Sequence, residues 1–228
     1  MSVNETYSSI PLGSGSTHAH TSAWVASTLR QEIANGRLLP GSKLSEQALS
    51  EALGVSRNTL REGFTLLDSE LIITRIPNRG VFVSSPSAED IREIYAVRRA
   101  IEPAALAWGP ALDVPALAQA ILEARAAAEV RDVPGMADAN QRFHEAVVRS
   151  TGSVHLLELM GRILAKMRLV FHSMSDAPDF HSHYVERNAA LVDLLASGQR
   201  NEAAQTLLGY LDTAEAELLE HYESSQKI

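Results

Sequence analysis

The chain has 228 residues, no cysteine and a net charge of −8 at neutral pH. That length allows one large domain or two small ones, and the lack of cysteine excludes disulfides, zinc–thiolate sites and thiol catalysis. No apolar run is long enough to span a bilayer, and the N-terminus lacks the basic start and apolar run of a signal peptide, so the expected compartment is the cytoplasm. The charge is uneven: residues 1–86 hold seven Lys/Arg and seven Asp/Glu, whereas residues 87–228 hold 13 and 21. The first part is therefore free to present a local basic face to a polyanion.

Residues 1–20 are rich in Ser, Gly, Thr and Asn without periodicity and are expected to form a flexible tail. From Ser22 the spacing of Trp24, Val25, Leu29 and Ile33 predicts a helix stopped by Gly36. "LLPGSKL" reads as a turn. Ser45 is a suitable cap for a short helix that buries Ala48, Leu49 and Leu53 and ends at Gly54. Ser56 caps the next helix, with Leu60, Phe64 and Leu67 as its buried stripe. "LIITRI" and "VFVS", separated by "PNRG", predict a β-hairpin with a glycine in its turn. Helix, helix, turn, helix and hairpin in that order form a winged helix-turn-helix over residues 21–83, followed by a linker at 84–87.

Everything beyond is helical. Ser87 and Asp90 predict a capping box for a helix reaching Trp108, with a kink or break at Pro103. Further helices are expected over residues 114–130, 134–150, 154–174, 182–197 and 202–223. The fold class is mostly α: an N-terminal winged helix-turn-helix and a C-terminal antiparallel all-α bundle of six helices over residues 88–228.

In "SRNTLREGF" the apolar positions point inward, which leaves Ser56, Arg57, Asn58, Thr59 and Arg61 at the exposed start of the helix. A recognition helix enters the major groove by this end. There arginine suits guanine, asparagine suits adenine, and hydroxyls with free N–H groups suit phosphate. Arg79 at the hairpin tip is placed to reach a minor groove, and Gly80 lets backbone approach the sugar-phosphate strand. A capped, solvated surface helix is the bland alternative, and the surrounding order of elements argues against it.

The stretch "LPGSKLSEQALSEALGVSRNTLREGFTLLDSELIITRIPNRGVFV" closely resembles the DNA-binding domain of GntR-family bacterial transcription regulators. The resemblance implies DNA contacts at Gln47, Ser56, Arg57, Asn58, Thr59, Arg61 and Gly80, with Arg79 beside them. Asn58 stands where the family most often has Thr, and Gly63-Phe64 where Ala-Leu is usual.

The C-terminal part resembles the FCD ligand-binding domain of the FadR-type branch, through "YAVRRAIEPAALA", "NQRFHEAVV" and "NAALVDLLASGQRNEAAQTLLGYL". Six helices place it near the VanR-like subgroup. By spacing alone, Asn140 and His144 share one helix face. Asn188 and Tyr210 lie about eleven residues before and after the turn that contains Gly198, so they face each other across a hairpin. With Arg98 they form a candidate ligand site inside the bundle.

In many FCD domains the first four of these positions are Asp, His, His and His and bind a divalent metal. Asn140, His144, Asn188 and Tyr210 keep only one imidazole, so no metal cofactor is expected, unless His172, His181 or His183 supply others. His181 and His183 are expected on a solvated surface. Arg98 is either the group that neutralises a bound effector, implied by the resemblance to be a small organic acid, or the partner of Glu102 in an intrahelical pair.

The expected function is a dimeric transcription regulator, more often a repressor, acting on a pseudo-palindromic double-stranded DNA operator under control of that effector. A constitutive regulator without a sensor is the alternative. An enzyme using His144 as a base is disfavoured, because the chain has no phosphate loop, nucleophile elbow or paired catalytic carboxylates.

Overall fold

The computed structural model describes residues 21–34, 36–172, 174 and 178–225. The tail expected over residues 1–20 lies outside them. The chain divides between Ser85 and Pro86 into two compact units.

The first unit contains helices α1 (Ser22–Ala34), α2 (Glu46–Leu53) and α3 (Arg57–Ser69) and strands β1 (Lys43–Leu44), β2 (Ile73–Ile76) and β3 (Gly80–Val83). Ser45 and Ser56 cap α2 and α3 as expected, each accepting from the backbone N–H three residues on. Gly54 ends α2 in the left-handed region at φ 63°, which other residues adopt only under strain. Val25, Leu29 and Ile33 of α1 and Leu60, Phe64 and Leu67 of α3 are buried, and the two helices pack together. Each such side chain contributes roughly 1.5–3 kcal/mol by leaving water.

The hairpin is joined by a strand the sequence pattern missed. Lys43 and Leu44 pair with Phe82 and Val81, which makes a three-stranded antiparallel wing in the order β1-β3-β2. Two residues are too few for a period to register. Asn78, at φ 61°, supplies the left-handed position of the wing turn after Pro77.

Where α1 and α3 meet, Gly63 allows the approach. A Cβ there would lie 2.6 Å from Val25 Cγ1 and 2.9 Å from Val25 Cβ. Helix propensity alone predicts that Gly63→Ala gains about 1 kcal/mol. Overpacking of about 1–3 kcal/mol opposes it. The expected net effect is a loss of about 1 kcal/mol, to be read as a lowered urea midpoint; a raised midpoint would show that α1 yields freely.

The second unit has six helices among the described residues: α4 (Ala88–Trp108), α5 (Val114–Glu129), α6 (Val133–Arg149), α7 (Val154–His172), α8 (Pro178–Ala196) and α9 (Arg200–Ser225). The Ser87–Asp90 capping box opens α4, and Asp90 also holds Lys166 of α7 at 2.5 Å. Pro103 does not break α4. The helix runs through it with the ring buried, and that packing outweighs the one lost backbone hydrogen bond. Asp113 and Asp132 cap α5 and α6. Arg200 donates to the carbonyls of Leu106 and Gly109, tying the end of α4 to the start of α9. Helix α6 packs against α4, α5, α7 and α8, so residues on its inner face look into the middle of the bundle. Helix α8 begins at Pro178, four residues before the position its pattern predicted.

Candidate functional site

The exposed start of α3 carries Ser56, Arg57, Asn58 and Arg61, and Thr59 is half-buried beside them. The Ser56 hydroxyl accepts from Thr59 N–H at 3.1 Å and lies 2.9 Å from the Thr59 hydroxyl. Arg57 is exposed and makes no ion pair with a described residue. Asn58 Nδ2 donates to Glu62 at 3.0 Å, which leaves its carbonyl oxygen turned from that bond. Arg61 is held by Glu46 at 2.9 Å, and Gln47 donates to Glu51 at 3.2 Å.

Arg75 of β2 reaches the same helix: its Nη2 donates to the Arg61 carbonyl and the Thr65 hydroxyl at 3.3 and 3.0 Å. In the wing, the guanidinium of Arg79 lies over the Phe82 ring at 5.8 Å. Gly80 has φ 114°, and a Cβ on it would approach Lys43 Cε to 3.1 Å. Arg75 and Lys43 thus add cations that sequence reasoning did not single out. Arg75 stands two residues before the recognised "PNRG", the only signal it gives.

Inside the bundle, Arg98, His144, Asn188 and Tyr210 are all buried and Asn140 is half-buried. The structure brings them together, and adds Glu102. Arg98 Nε donates to Glu102 Oε1 at 2.6 Å, and His144 Nδ1 stands 2.6 Å from Glu102 Oε2. Both side chains of the Arg98–Glu102 pair are at most 2% exposed, so this is an interior ion pair and not a surface one. His144 Nε2 is 3.0 Å from the Tyr210 hydroxyl, and Asn188 Nδ2 donates to Asn140 Oδ1 at 2.8 Å.

Burial alone would raise the Glu102 carboxyl, but the charge of Arg98, with the hydrogen bonds that Arg98 and His144 donate, holds it well below the usual carboxylate range. Burial lowers His144 and outweighs the opposite pull of Glu102. The consistent protonation is therefore an ionised Glu102 accepting from Nδ1–H of a neutral His144, whose Nε2 accepts from Tyr210. Burial pushes the Tyr210 hydroxyl up to about 12.

His181 is not on the surface as the sequence suggested. Because α8 starts early, His181 falls on its inner face with Tyr184, Val185 and Asn188 and packs against the rings of Phe171 and Phe180. Spacings of three, four and seven residues carried that signal. His183 is exposed and accepts from Arg187, and Arg168 pairs with Asp138 at 3.0 Å.

Burial pushes the His181 imidazole down to about 4 from 6.5. Between those values the unfolded chain binds the extra proton, so this stability is present above pH 6.5 and is lost as the pH falls to 4. The difference amounts to roughly 3 kcal/mol. His181→Phe is expected to flatten the profile of unfolding free energy against pH in that interval. A profile as steep as that of the unsubstituted protein would assign the loss to another group.

A narrow cavity lies between these helices, walled by Tyr95, Arg98, Asn140, His181, Tyr184 and Tyr210 together with Phe171 and Phe180. It has room for about one water molecule. The imidazole of His144 is committed on both nitrogens and Asn140 Oδ1 is bonded to Asn188. Among the described residues no three His, Asp or Glu side chains are grouped to hold a metal ion.

A winged helix-turn-helix followed by an all-helical bundle with a polar interior defines a DNA-binding transcription regulator. Residues 21–83 match the family described as "Bacterial regulatory proteins, gntR family", and residues 93–213 match the FCD domain. The chain belongs to the GntR family and carries an FCD domain. A solved GntR transcriptional regulator from Rhodococcus sp. RHA1 is 40% identical, with a TM-score of 0.83 over 87% of this chain and 97% of that one.

Among curated relatives, the galactonate operon transcriptional repressor of Escherichia coli is 28% identical over 85% of this chain and 94% of its own length. The gluconate operon transcriptional repressor of Bacillus licheniformis is 30% identical over 64% of this chain and 62% of its own length. Escherichia coli McbR/YncC, 22% identical with a TM-score of 0.77, shares the fold. The galactonate and gluconate operon proteins and the Rhodococcus protein are transcription regulators and not enzymes. No helix among the described residues is long and apolar enough to cross a membrane.

Proposed function

We propose that the protein is a homodimeric repressor that works in the cytoplasm and releases or retains a pseudo-palindromic DNA operator according to a small molecule bound inside its helical bundle. The observation that carries this reading is the exposed start of α3, where Arg57, Asn58 and Arg61 stand on a helix capped by Ser56 beside the wing residues Arg79 and Gly80. Gln47, Ser56 and Thr59 supply the phosphate-facing groups of the same surface, and a two-fold dimer presents two such helices to two half-sites. Repression is carried over from the galactonate and gluconate operon repressors, whose names state it.

The effector reading rests on Arg98, Asn140 and Tyr210, which line one cavity, with His144 and Asn188 bonded to them from behind. An organic acid follows from Arg98 taken as an unbalanced cation. Glu102, which already balances it, weakens that particular choice. The pocket works without a metal in this proposal: a neutral asparagine pair, a phenol and an imidazole already bonded on both sides are a poor donor set for a divalent ion. Stoichiometric zinc in the purified protein would overturn that part.

The decisive experiment measures operator affinity of the dimer with and without small molecules that raise its melting temperature. A stabilising ligand is expected to change operator affinity, because a ligand acts only through different affinities for the two arrangements. The narrowness of the cavity favours one competing reading, a constitutive regulator. That reading holds if every stabilising ligand leaves operator binding unchanged.

A further inference from the structure

Of the charged groups, Arg98 lines the cavity, and Glu102 behind it supplies its counter-charge. Arg98 is balanced by Glu102, and the remaining protons run one way, from His144 Nδ1 to Glu102 and from the Tyr210 hydroxyl to His144 Nε2. Of the other charged groups nearby, Arg168 is paired with Asp138. Glu217 accepts from the hydroxyl of the lining residue Tyr184, and Arg187 lies over that ring at 5.6 Å. A carboxylate meeting Arg98 would bring a second negative charge to a guanidinium that Glu102 already balances, and burying such a charge is strongly unfavourable.

The polar atoms left over point to a different ligand. Arg98 Nη2, His181 Nε2 and Asn188 Oδ1 are buried without hydrogen-bond partners. Their side chains belong to residues that are 1%, 5% and 1% exposed. Arg98 and His181 line the cavity, and Asn188 is bonded to the lining residue Asn140. Arg98 Nη2 is a donor. Asn188 Oδ1 is an acceptor, and so is Nε2 of a neutral His181 whose other nitrogen meets the Met174 backbone. The missing partner therefore offers one acceptor and N–H or O–H donors. The rest of the wall is aromatic: Tyr184 stacks on Tyr210 at 5.1 Å, Phe180 lies 4.8 Å from Tyr184, and Arg98 covers Tyr95 at 5.0 Å. Rings of this kind receive a flat apolar body.

We infer that the bundle cavity takes an uncharged aromatic molecule with an amide-like group, whose carbonyl meets Arg98 and whose N–H groups meet His181 and Asn188, in preference to a carboxylate. This rests on the reading of the bundle as a sensor and names its ligand class. A ring enters only as Phe180 and Tyr184 turn aside, so binding stabilises an opened arrangement of the first turns of α8 and not the closed one.

Benzamide and benzoate test it, because they share shape and differ in charge and donors. With the full-length protein, benzamide at millimolar concentration is expected to raise the melting temperature and to bind at least about tenfold more tightly than benzoate by calorimetry. His181→Phe, which removes one acceptor, is expected to weaken benzamide. Glu102→Gln, which leaves Arg98 unbalanced, is expected to shift the preference toward benzoate; if that variant does not fold, the unsubstituted protein and His181→Phe still decide.

Equal or tighter binding of benzoate, undiminished benzamide binding by His181→Phe, or no binding of either compound overturns the inference, the last leaving the cavity to water. Operator affinity separates this from the sensor reading. Benzamide that binds without altering operator affinity sinks the sensor and keeps the ligand class. Benzoate that binds and alters operator affinity does the reverse.

Discussion

Glu102→Ala is expected to cost the bundle about 3–5 kcal/mol. The substitution leaves the Arg98 guanidinium in the interior with no counter-charge, and it removes the acceptor of His144 Nδ1 at the same time. Domains are stable by only about 5–15 kcal/mol, so the loss takes a large share of the total and should appear as a fall of roughly ten degrees in melting temperature. Arg98→Leu combined with Glu102→Leu is expected to recover most of it, because a buried ion pair exchanged for packed apolar groups is often neutral. Urea denaturation of the two single variants and the double variant gives the coupling directly. A single variant within about 1 kcal/mol of the unsubstituted protein would mean that water reaches the pair, and the charge argument for the cavity would fall with it. The pH dependence has a matching sign. Glu102 is depressed, so its stabilisation is present above pH 4.5 and is lost as the pH falls through its lower folded value.

The second large effect is expected on DNA. Arg57→Ala should weaken operator binding by about 1–3 kcal/mol per protomer if Arg57 pairs with a guanine edge, and should relax base preference at that position. In the proposed two-fold dimer the loss counts twice. Arg79→Ala should act differently: affinity falls for all sequences, and the salt dependence drops by roughly one phosphate per protomer. Arg61 lies between these cases, because DNA must draw it from Glu46, and an exposed pair of that kind holds it only weakly. Titration of labelled operator at several salt concentrations distinguishes the three. Unchanged affinity and unchanged preference in both Arg57→Ala and Arg61→Ala would remove α3 from the interface.

The reading head was legible in the sequence because its signals are local. Ser45, Gly54 and Ser56 mark helix ends through their own backbone chemistry, and Leu60, Phe64 and Leu67 keep a strict period. The convergence of Asn140, His144, Asn188 and Tyr210 was also legible, since helix spacing and a hairpin turn fix height and face. Glu102 was visible only as a neighbour of Arg98 four residues on. Spacing says that two such residues meet; it does not say whether they meet in water or in the core. His181 was misplaced for the same kind of reason: a start of α8 four residues early turns a loop position into an inner-face position. Strand β1 carries no period at all, and its pairing with β3 is a long-range fact.

The family's usual alanine at the position of Gly63 does not fit against Val25 as α1 and α3 lie here. An alanine at this position therefore requires Val25, and with it α1, to move away from α3. The glycine thus sets how closely the first helix can lie on the helix that carries Arg57, Asn58 and Arg61.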